Sequence, residues 1–340
     1  MEYVLLGNSG LKVSRLCLGT MTFGDTTRDG DAQNIVESAR NVGVNFIDTA
    51  DGYAAGASEE IVGKLTKHDR NEWIVASKVG SAAGTASRKK ALSRKWLLEA
   101  IDSSLTRLQT SFLDVWYLHH VDWETPIEET VRTVGDIIAA GKVRYWGFSN
   151  HRGWQVGELV HTAEQLGVPK PIVAQPYYNA FNRMPETDIL PACAHYGIGV
   201  VPYSPLARGV LAGIYEPGKD PGPETRAGIQ DRRLMQTEWR TESLHAAQKI
   251  KQHCKKREMQ PVTFAIQWLL NNKIISGVLG GPRTMAHWQS YVEAMHGAWT
   301  EEDEELVNQL CPPGQATTHG YCDPRYPVRG RVSLINAVSN

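Results

Sequence analysis

The sequence has no excess of basic charge: 36 Lys and Arg stand against 37 Asp and Glu, a formal net charge of −1. A nucleic-acid footprint needs a basic stripe to neutralise phosphates, so that class of partner is excluded. Two local basic runs, Arg88-Lys89-Lys90 and Lys255-Lys256-Arg257, read as solvated loop and helix faces. Cysteine is scarce and odd in number, with Cys17, Cys193, Cys254, Cys311 and Cys322 scattered and no pair at metal-ligand or CxxC spacing. That speaks against a disulfide framework and for a reduced, cytoplasmic compartment. No apolar run approaches the ~18 residues a membrane span needs. The start, Met1-Glu2-Tyr3-Val4, lacks the basic and then apolar regions of a secretory signal. A soluble protein with no membrane partner is expected. Also missing is a GxGxxG turn after the first main strand, where Leu18-Gly19-Thr20-Met21-Thr22-Phe23-Gly24 does not fit. This counts against a doubly wound dinucleotide fold.

What is present is a repeat. At 340 residues and 41% hydrophobic, the chain suits a single α/β barrel domain over residues 1–340. Tyr3 to Leu6 and Lys12 to Leu16, separated by Gly7-Asn8-Ser9-Gly10, predict a β-hairpin over residues 3–16. An amphipathic helix, a glycine stop and a short apolar strand then recur. Ile127, Val131, Val134 and Ile138 share one helix face, as do Leu97, Ile101, Leu105 and Leu108. Eight strands are predicted, at 15–19, 45–49, 73–79, 113–119, 143–149, 171–175, 198–203 and 277–280, each followed by helical pattern. Such units close into a (β/α)8 TIM barrel, here over residues 15–295. Residues 206–240, rich in Gly, Pro and charge, read as a functional loop. A helix from Thr300 to Leu310 and a Pro/Gly-rich tail complete the segment 300–340, with Tyr321 and Tyr326 expected to anchor the tail.

Chemistry in such a barrel sits at the C-terminal strand ends. Those ends are polar in this sequence, each after an apolar run. Strand two ends in Asp48, with Tyr53 on the following turn; strand three ends in Lys78 and strand four in His119. A carboxylate leaving a buried strand is costly unless a cation meets it. A phenol, whose ordinary pKa is near 10, is expected to be lowered by the Lys78 ammonium, with Asp48 holding that ammonium charged. His119 is placed to hydrogen-bond a substrate oxygen. A metal at His119-His120-x-Asp122 is rejected on the ground that neighbours on a strand point to opposite faces.

The order and spacing of six motifs resemble an aldo-keto reductase from about Leu5 to Leu310. They are Asp48-Thr49-Ala50-x-x-Tyr53, Lys78, Tyr117-Leu118-His119, Gly147-Phe148-Ser149-Asn150, Gln175 and Tyr203-Ser204-Pro205-Leu206. The resemblance implies a catalytic tetrad of Asp48, Tyr53, Lys78 and His119. Tyr53 would give a proton to a carbonyl oxygen while NADPH gives hydride to the carbon. It also implies a cofactor site: Gly19, Thr20 and Met21 after the first strand, and Ser149, Asn150 and Gln175 for a nicotinamide carboxamide. Tyr203 would be a stacking face, with Ser204, Pro205, Leu206, Arg208, Gly209 and Arg226 from the long loop. Gly281 and Arg283 follow strand eight, and Thr284 would cap the next helix.

The sequence departs from many relatives on that helix. His287, Ser290 and Tyr291 stand where those carry Gln or Arg and then Glu-Asn for the adenosine end. After the first strand, Met21 replaces a frequent aromatic, so Met21, Phe23 and Trp123 are expected to shape a roomier apolar pocket. The implied reactants are NADPH or NADP+ and a small-molecule carbonyl or alcohol, selected by residues 81–91, residues 206–240 and the tail, with the length of the 206–240 loop and the tail pointing to a larger aldehyde or ketone. A second function stays open, that of an NADPH-sensing regulatory subunit resembling potassium-channel β subunits. The lack of a long extra N-terminal segment favours the enzyme. A third is a barrel lyase or isomerase with Lys78 as a Schiff base.

Overall fold

The computed structural model describes residues 1–80 and 92–327. The run Arg88-Lys89-Lys90, the expected substrate loop over 81–91 and the end of the tail lie outside the described residues. Strands β1 (Tyr3–Leu5) and β2 (Lys12–Ser14) form the expected antiparallel hairpin. The parallel strands follow: β3 (Leu16–Gly19), β4 (Phe46–Asp48), β5 (Ile74–Val79), β6 (Leu113–Leu118), β7 (Val143–Ser149), β8 (Val173–Gln175), β9 (Gly199–Val200) and β10 (Val278–Gly280). They form one eight-stranded sheet in the order β10-β3-β4-β5-β6-β7-β8-β9. The ring closes where Ser276 N–H reaches the Val200 carbonyl at 2.8 Å and Leu279 N–H that of Pro202 at 3.3 Å. The architecture is a (β/α)8 barrel.

Helices α1 (Asp29–Asn41), α2 (Ala57–Thr66), α3 (Arg94–Arg107), α4 (Ile127–Ala139), α5 (Gly153–Leu166) and α6 (Ile189–Tyr196) connect successive strands. Between β9 and β10 come α7 (Arg232–Thr237), α8 (Thr241–Lys256) and α9 (Pro261–Leu270); α10 (Met285–Ala294) and α11 (Glu301–Leu310) follow β10. No helix among the described residues is long and apolar enough to cross a membrane.

Two-residue alternation divides the strands between two cores. Ile47, Val75, Trp116 and Phe148 face the helices, with Ile101, Val131 and Leu159 packed against them. Cys17, Phe46, Ile74, Ala76, Val115, Tyr117, Val173 and Val201 fill the barrel, and the hairpin's Leu6 and Val13 stopper its N-terminal end. Full burial of each large aliphatic or aromatic side chain contributes about 1.5–3 kcal/mol. Gly147 lets β7 approach β8, because a Cβ there would lie 2.3 Å from the Val173 carbonyl oxygen and 3.2 Å from the Tyr117 ring.

Continuing that inward alternation toward the C-terminal end leads from Phe46 to Asp48, from Ala76 to Lys78, from Val173 to Gln175 and from Tyr117 to His119. The same periodicity that fills the barrel therefore delivers the polar groups to its rim.

The rim carries a strap. Asp323 receives two bonds from Arg233, at 3.1 and 2.6 Å, and the Tyr326 carbonyl accepts one from Arg152 at 2.9 Å. The Tyr326 hydroxyl and Arg325 lie 2.9 Å from the two ring nitrogens of His120. The tail's anchoring by Tyr321 and Tyr326 is as expected, Tyr321 O–H donating to the Gln236 carbonyl at 3.4 Å. One basic run differs from its reading, since Arg257 pairs with the buried Asp303 and ties α8 to α11.

Candidate active site

Asp48 and Lys78 are both fully buried, and their charges are met in full. The three N–H bonds of Lys78 go to Asp48 Oδ1, to the Thr49 carbonyl at 2.8 Å and to the Tyr53 hydroxyl at 3.1 Å. The second Asp48 oxygen accepts from Gln175 Nε2 at 3.0 Å. A buried ion pair stands only when the remaining valences are used, as they are here. Burial pushes the Asp48 carboxyl up, with Lys78 and Gln175 pulling it back. Burial also works against the Lys78 ammonium, but Asp48 and Tyr53 outweigh it and its pKa is raised. Lys78 is a cation aimed at a phenol.

Tyr53 opens a helical turn, Tyr53–Gly56, in which Ala54 and Ala55 hold left-handed backbone with φ of 47° and 56°. Such strain persists only where the surroundings fix it. They do so through Ser58, whose hydroxyl lies 2.9 Å from those of both Thr20 and Thr49. Glu59, buried on α2, accepts from Ser77 Oγ at 2.5 Å and from Arg107 Nε at 2.7 Å. The Tyr53 phenol differs from its expected state. Burial raises its pKa, Lys78 pulls it down, and burial wins, with Asp48 and Asp51 adding to the rise. The phenol keeps its proton.

His119 meets Tyr53 edge-on, with ring centroids 6.0 Å apart. Burial, then His120, Lys78 and Arg325, push its pKa well below the usual histidine value, so the imidazole is neutral. Its Nδ1 is buried without a hydrogen-bond partner among the described residues. The rings of His119 and His120 are stacked, 4.4 Å apart and 13° from parallel, and do not point to opposite faces. The strand ends at Leu118, so alternation no longer governs the pair. Among the described residues no group of His, Cys, Asp and Glu is set to hold a metal ion.

Across the rim, Ser149 Oγ donates to the Gln175 carbonyl at 2.6 Å, and Asn150 Nδ2 donates to the His119 carbonyl at 2.8 Å. Tyr203 O–H donates to Asn150 Oδ1 at 2.9 Å, and its ring stacks on Tyr177 at 5.5 Å. Asn150, Ser204, Ala207 and Arg208 all hold positive φ, and Asn179 Nδ2 donates to the Ser204 carbonyl at 3.0 Å. Pro205 is buried and Leu206 half-buried. Beyond them lie the arginines. Arg208 Nε donates to Thr237 Oγ1 at 3.1 Å, and Arg283 reaches the Glu224 carbonyl at 3.4 Å. Burial lowers the pKa of Arg226; Asp231 opposes this, and the charges of Arg208 and Arg283 add to it. Among the described residues no carboxylate forms an ion pair with any of the three. Thr284 caps α10 by accepting from the His287 N–H at 3.3 Å. A Cβ on Gly281 would meet nothing within 4 Å, and one on Gly209 nothing nearer than 3.8 Å.

A barrel rim with a buried Asp-Lys pair, a protonated phenol and a neutral imidazole is an acid/base device. The model of the Aldo/keto reductase family matches residues 15–311. The chain belongs to the aldo/keto reductase family. It is 36% identical over 87% of its length to a probable voltage-gated potassium channel subunit beta of Arabidopsis thaliana, covering 91% of that protein. A protein described in the same words from Oryza sativa subsp. japonica is also 36% identical, over 83% of this chain and 87% of its own length. The uncharacterized oxidoreductase YrpG of Bacillus subtilis is 31% identical over 94% of this chain and 99% of its own length. Family and relatives support an oxidoreductase.

This aldo/keto reductase brings together at one rim the four residues expected as its tetrad. Gly19 and Thr20 are buried beside them. A Cβ on Gly19 would lie 3.1 Å from Leu279, and Thr20 Oγ1 donates to the Asp48 carbonyl at 3.0 Å. Met21 is exposed on the rim, as is Trp123. Phe23 is fully buried in the outer core and so does not face an open pocket at the rim as expected. Tyr291 is buried with its ring against Gly280, while His287 is exposed at the start of α10. Sequence reasoning passed over Thr20 and Ser58 as props, and over Glu59, Arg107, Asp51, Tyr177 and Glu238. Glu59 had a signal: it sits on the apolar face of α2 with Val62 and Gly63, where an unpartnered carboxylate would not be tolerated.

Proposed function

We propose that this protein is an NADPH-dependent reductase of aldehydes or ketones, running in reverse on alcohols. The observation that carries this reading is the protonated Tyr53 hydroxyl held 3.1 Å from a buried, fully bonded Lys78 ammonium. The cofactor fits the residues present. Three arginines without carboxylate partners among the described residues, open space at Gly281 and a capped helix N-terminus suit the pyrophosphate and a 2′-phosphate. Ser149, Asn150 and Gln175 would hold the nicotinamide carboxamide and Tyr203 would support its ring. Members of the family generally use NAD(P)H, and the cofactor supplies the hydride. Tyr53 supplies the proton to the carbonyl oxygen, Lys78 stabilises the phenolate left behind, Asp48 keeps Lys78 charged, and neutral His119 orients the oxygen.

A second reading is supported by the two plant relatives: a redox-sensing subunit of a membrane channel, using the same cofactor site. Measuring NADPH consumption with aldehydes, ketones and diketones, beside NADH, tests the first reading. Turnover with at least one carbonyl is expected. NADPH binding without turnover on any of them would sink the reductase and favour the sensor.

A further inference from the structure

The Tyr203 ring rests on a second aromatic layer, and that layer rests on a charge. Tyr177 stacks on Tyr203 with centroids 5.5 Å apart and planes 21° from parallel, and the two backbones form an isolated parallel bridge. The Tyr177 hydroxyl donates to Glu238 Oε1. Asn179 Nδ2 donates to the same oxygen at 3.2 Å and to the Ser204 carbonyl at 3.0 Å. Glu238 itself is fully buried just past the end of α7. Its Oε2 has no hydrogen-bond partner among the described residues and faces Arg240 Nη2 at 3.9 Å. Arg240 turns instead to Ser243, Thr317 and the Tyr321 ring. A glutamine could accept both Oε1 bonds at a lower desolvation cost. The charge is what the carboxylate adds.

We propose that Glu238, acting through the Tyr177–Tyr203 stack, is a positioning residue that favours the cationic nicotinamide of NADP+ over the neutral one of NADPH. This rests on the cofactor site of the reductase reading, in which Tyr203 supports the nicotinamide ring. In reduction the hydride carries its electron pair to the carbonyl carbon while the Tyr53 proton goes to the oxygen. The ring left behind gains one positive charge. A negative charge two ring layers away lowers the free energy of that cation and leaves the neutral ring almost untouched. Burial keeps the field from being screened by salt. The hydrogen bond to a carboxylate also enriches the Tyr177 ring, and an aromatic face attracts a cation. Arg240 offsets part of this, but its own bonds lead to Ser243 and Thr317, whereas both bonds of Glu238 lead to the stack and the Ser204 backbone beside it. The arginines of the rim do not discriminate in this way, because the phosphates they suit are common to both forms of the cofactor.

The test is Glu238→Gln, which keeps the shape and both acceptor bonds and removes the charge. NADPH and NADP+ are titrated separately, the first by its own fluorescence and the second by quenching of the protein's tryptophans. The ratio of the two dissociation constants should move roughly tenfold in favour of NADPH, the effect of one charge about ten ångströms away at an effective dielectric near 20. Glu238→Asp retains the charge and should leave the ratio near that of the unaltered protein, whatever it does to both affinities together. Loss of a merely structural carboxylate would weaken both forms alike. An unmoved ratio in Glu238→Gln, or a shift toward NADP+, would therefore overturn the inference. If the unaltered protein binds neither form, the cofactor reading fails and takes this one with it; if it binds both, only the role of Glu238 is at stake. Should Glu238→Gln not fold, the double variant Glu238→Gln, Arg240→Gln removes both buried charges, and the ratio should move the same way by a smaller factor. Failure of both to fold would show a carboxylate kept for folding and overturn the proposal.

Discussion

The two ends of the barrel mouth are built on opposite plans. At the tetrad end, Asp48 and Lys78 are sealed from water and every bond of the pair is made within the protein. At the arginine end, Arg208, Arg226 and Arg283 are half-exposed, repel one another and find no carboxylate partner among the described residues. One end is finished before any ligand arrives. The other stores repulsion that an anion would relieve. Groups that must act at the instant of reaction gain from being fixed beforehand, whereas a binding surface gains affinity by leaving its charges unsatisfied.

The strongest test of that contrast is Tyr53→Phe. Carbonyl reduction should fall by ~10²–10⁴-fold, the usual worth of a general acid, while NADPH titration on the same preparation stays unchanged. Near-normal turnover of a folded Tyr53→Phe protein would remove the tetrad from the chemistry.

Next comes Lys78→Met, which leaves Asp48 buried and short of its cation. Stability in a denaturant titration should drop by about 3–5 kcal/mol. Adding Asp48→Asn should recover part of that loss; a double variant as weak as the single one would mean the pair is not the source of the cost.

A smaller effect is expected from Arg283→Ala. Loss of a charge-assisted contact worth about 1.5–3 kcal/mol should weaken NADPH roughly tenfold to a hundredfold and NADH much less. The thermal midpoint of the ligand-free protein should not fall, because a repelling charge has been removed. Equal losses for both cofactors in fluorescence titration would place Arg283 on the pyrophosphate or on nothing.

The smallest effect concerns the seam between the ends. His151 is buried against Phe148, with its Nδ1 2.8 Å from the Ser149 carbonyl, and burial pushes its pKa down to about 4. Unfolded chain binds a proton on this ring below about 6.5 and folded chain does not until about 4, so stability falls as pH falls through that window. Between neutrality and pH ~5.5 the loss from this ring is about 1 kcal/mol. His151→Asn should flatten the acid slope of the melting temperature by that amount, and an unchanged slope would assign the acid sensitivity elsewhere.

The barrel was legible because apolar runs ended in polar residues with a helix after each one, and the inward alternation makes both facts one. Asp48, Tyr53, Lys78 and His119 could be named from those ends alone. The protonation state of Tyr53 could not, since the depth of burial depends on the closed ring and not on the neighbours in sequence. His119 and His120 misled because a strand's alternation stops where its hydrogen bonds stop. Phe23 misled because a loop residue near a rim can pack into the outer core. Glu59 looks like a surface acid in sequence; only the packing of α2 on α3 shows that it is buried and paired with Arg107.

The hairpin stopper, with Leu6 and Val13 packed into the barrel floor, seals the end opposite the polar strand ends. With the interior filled by side chains, the open rim is the face from which small molecules reach those ends.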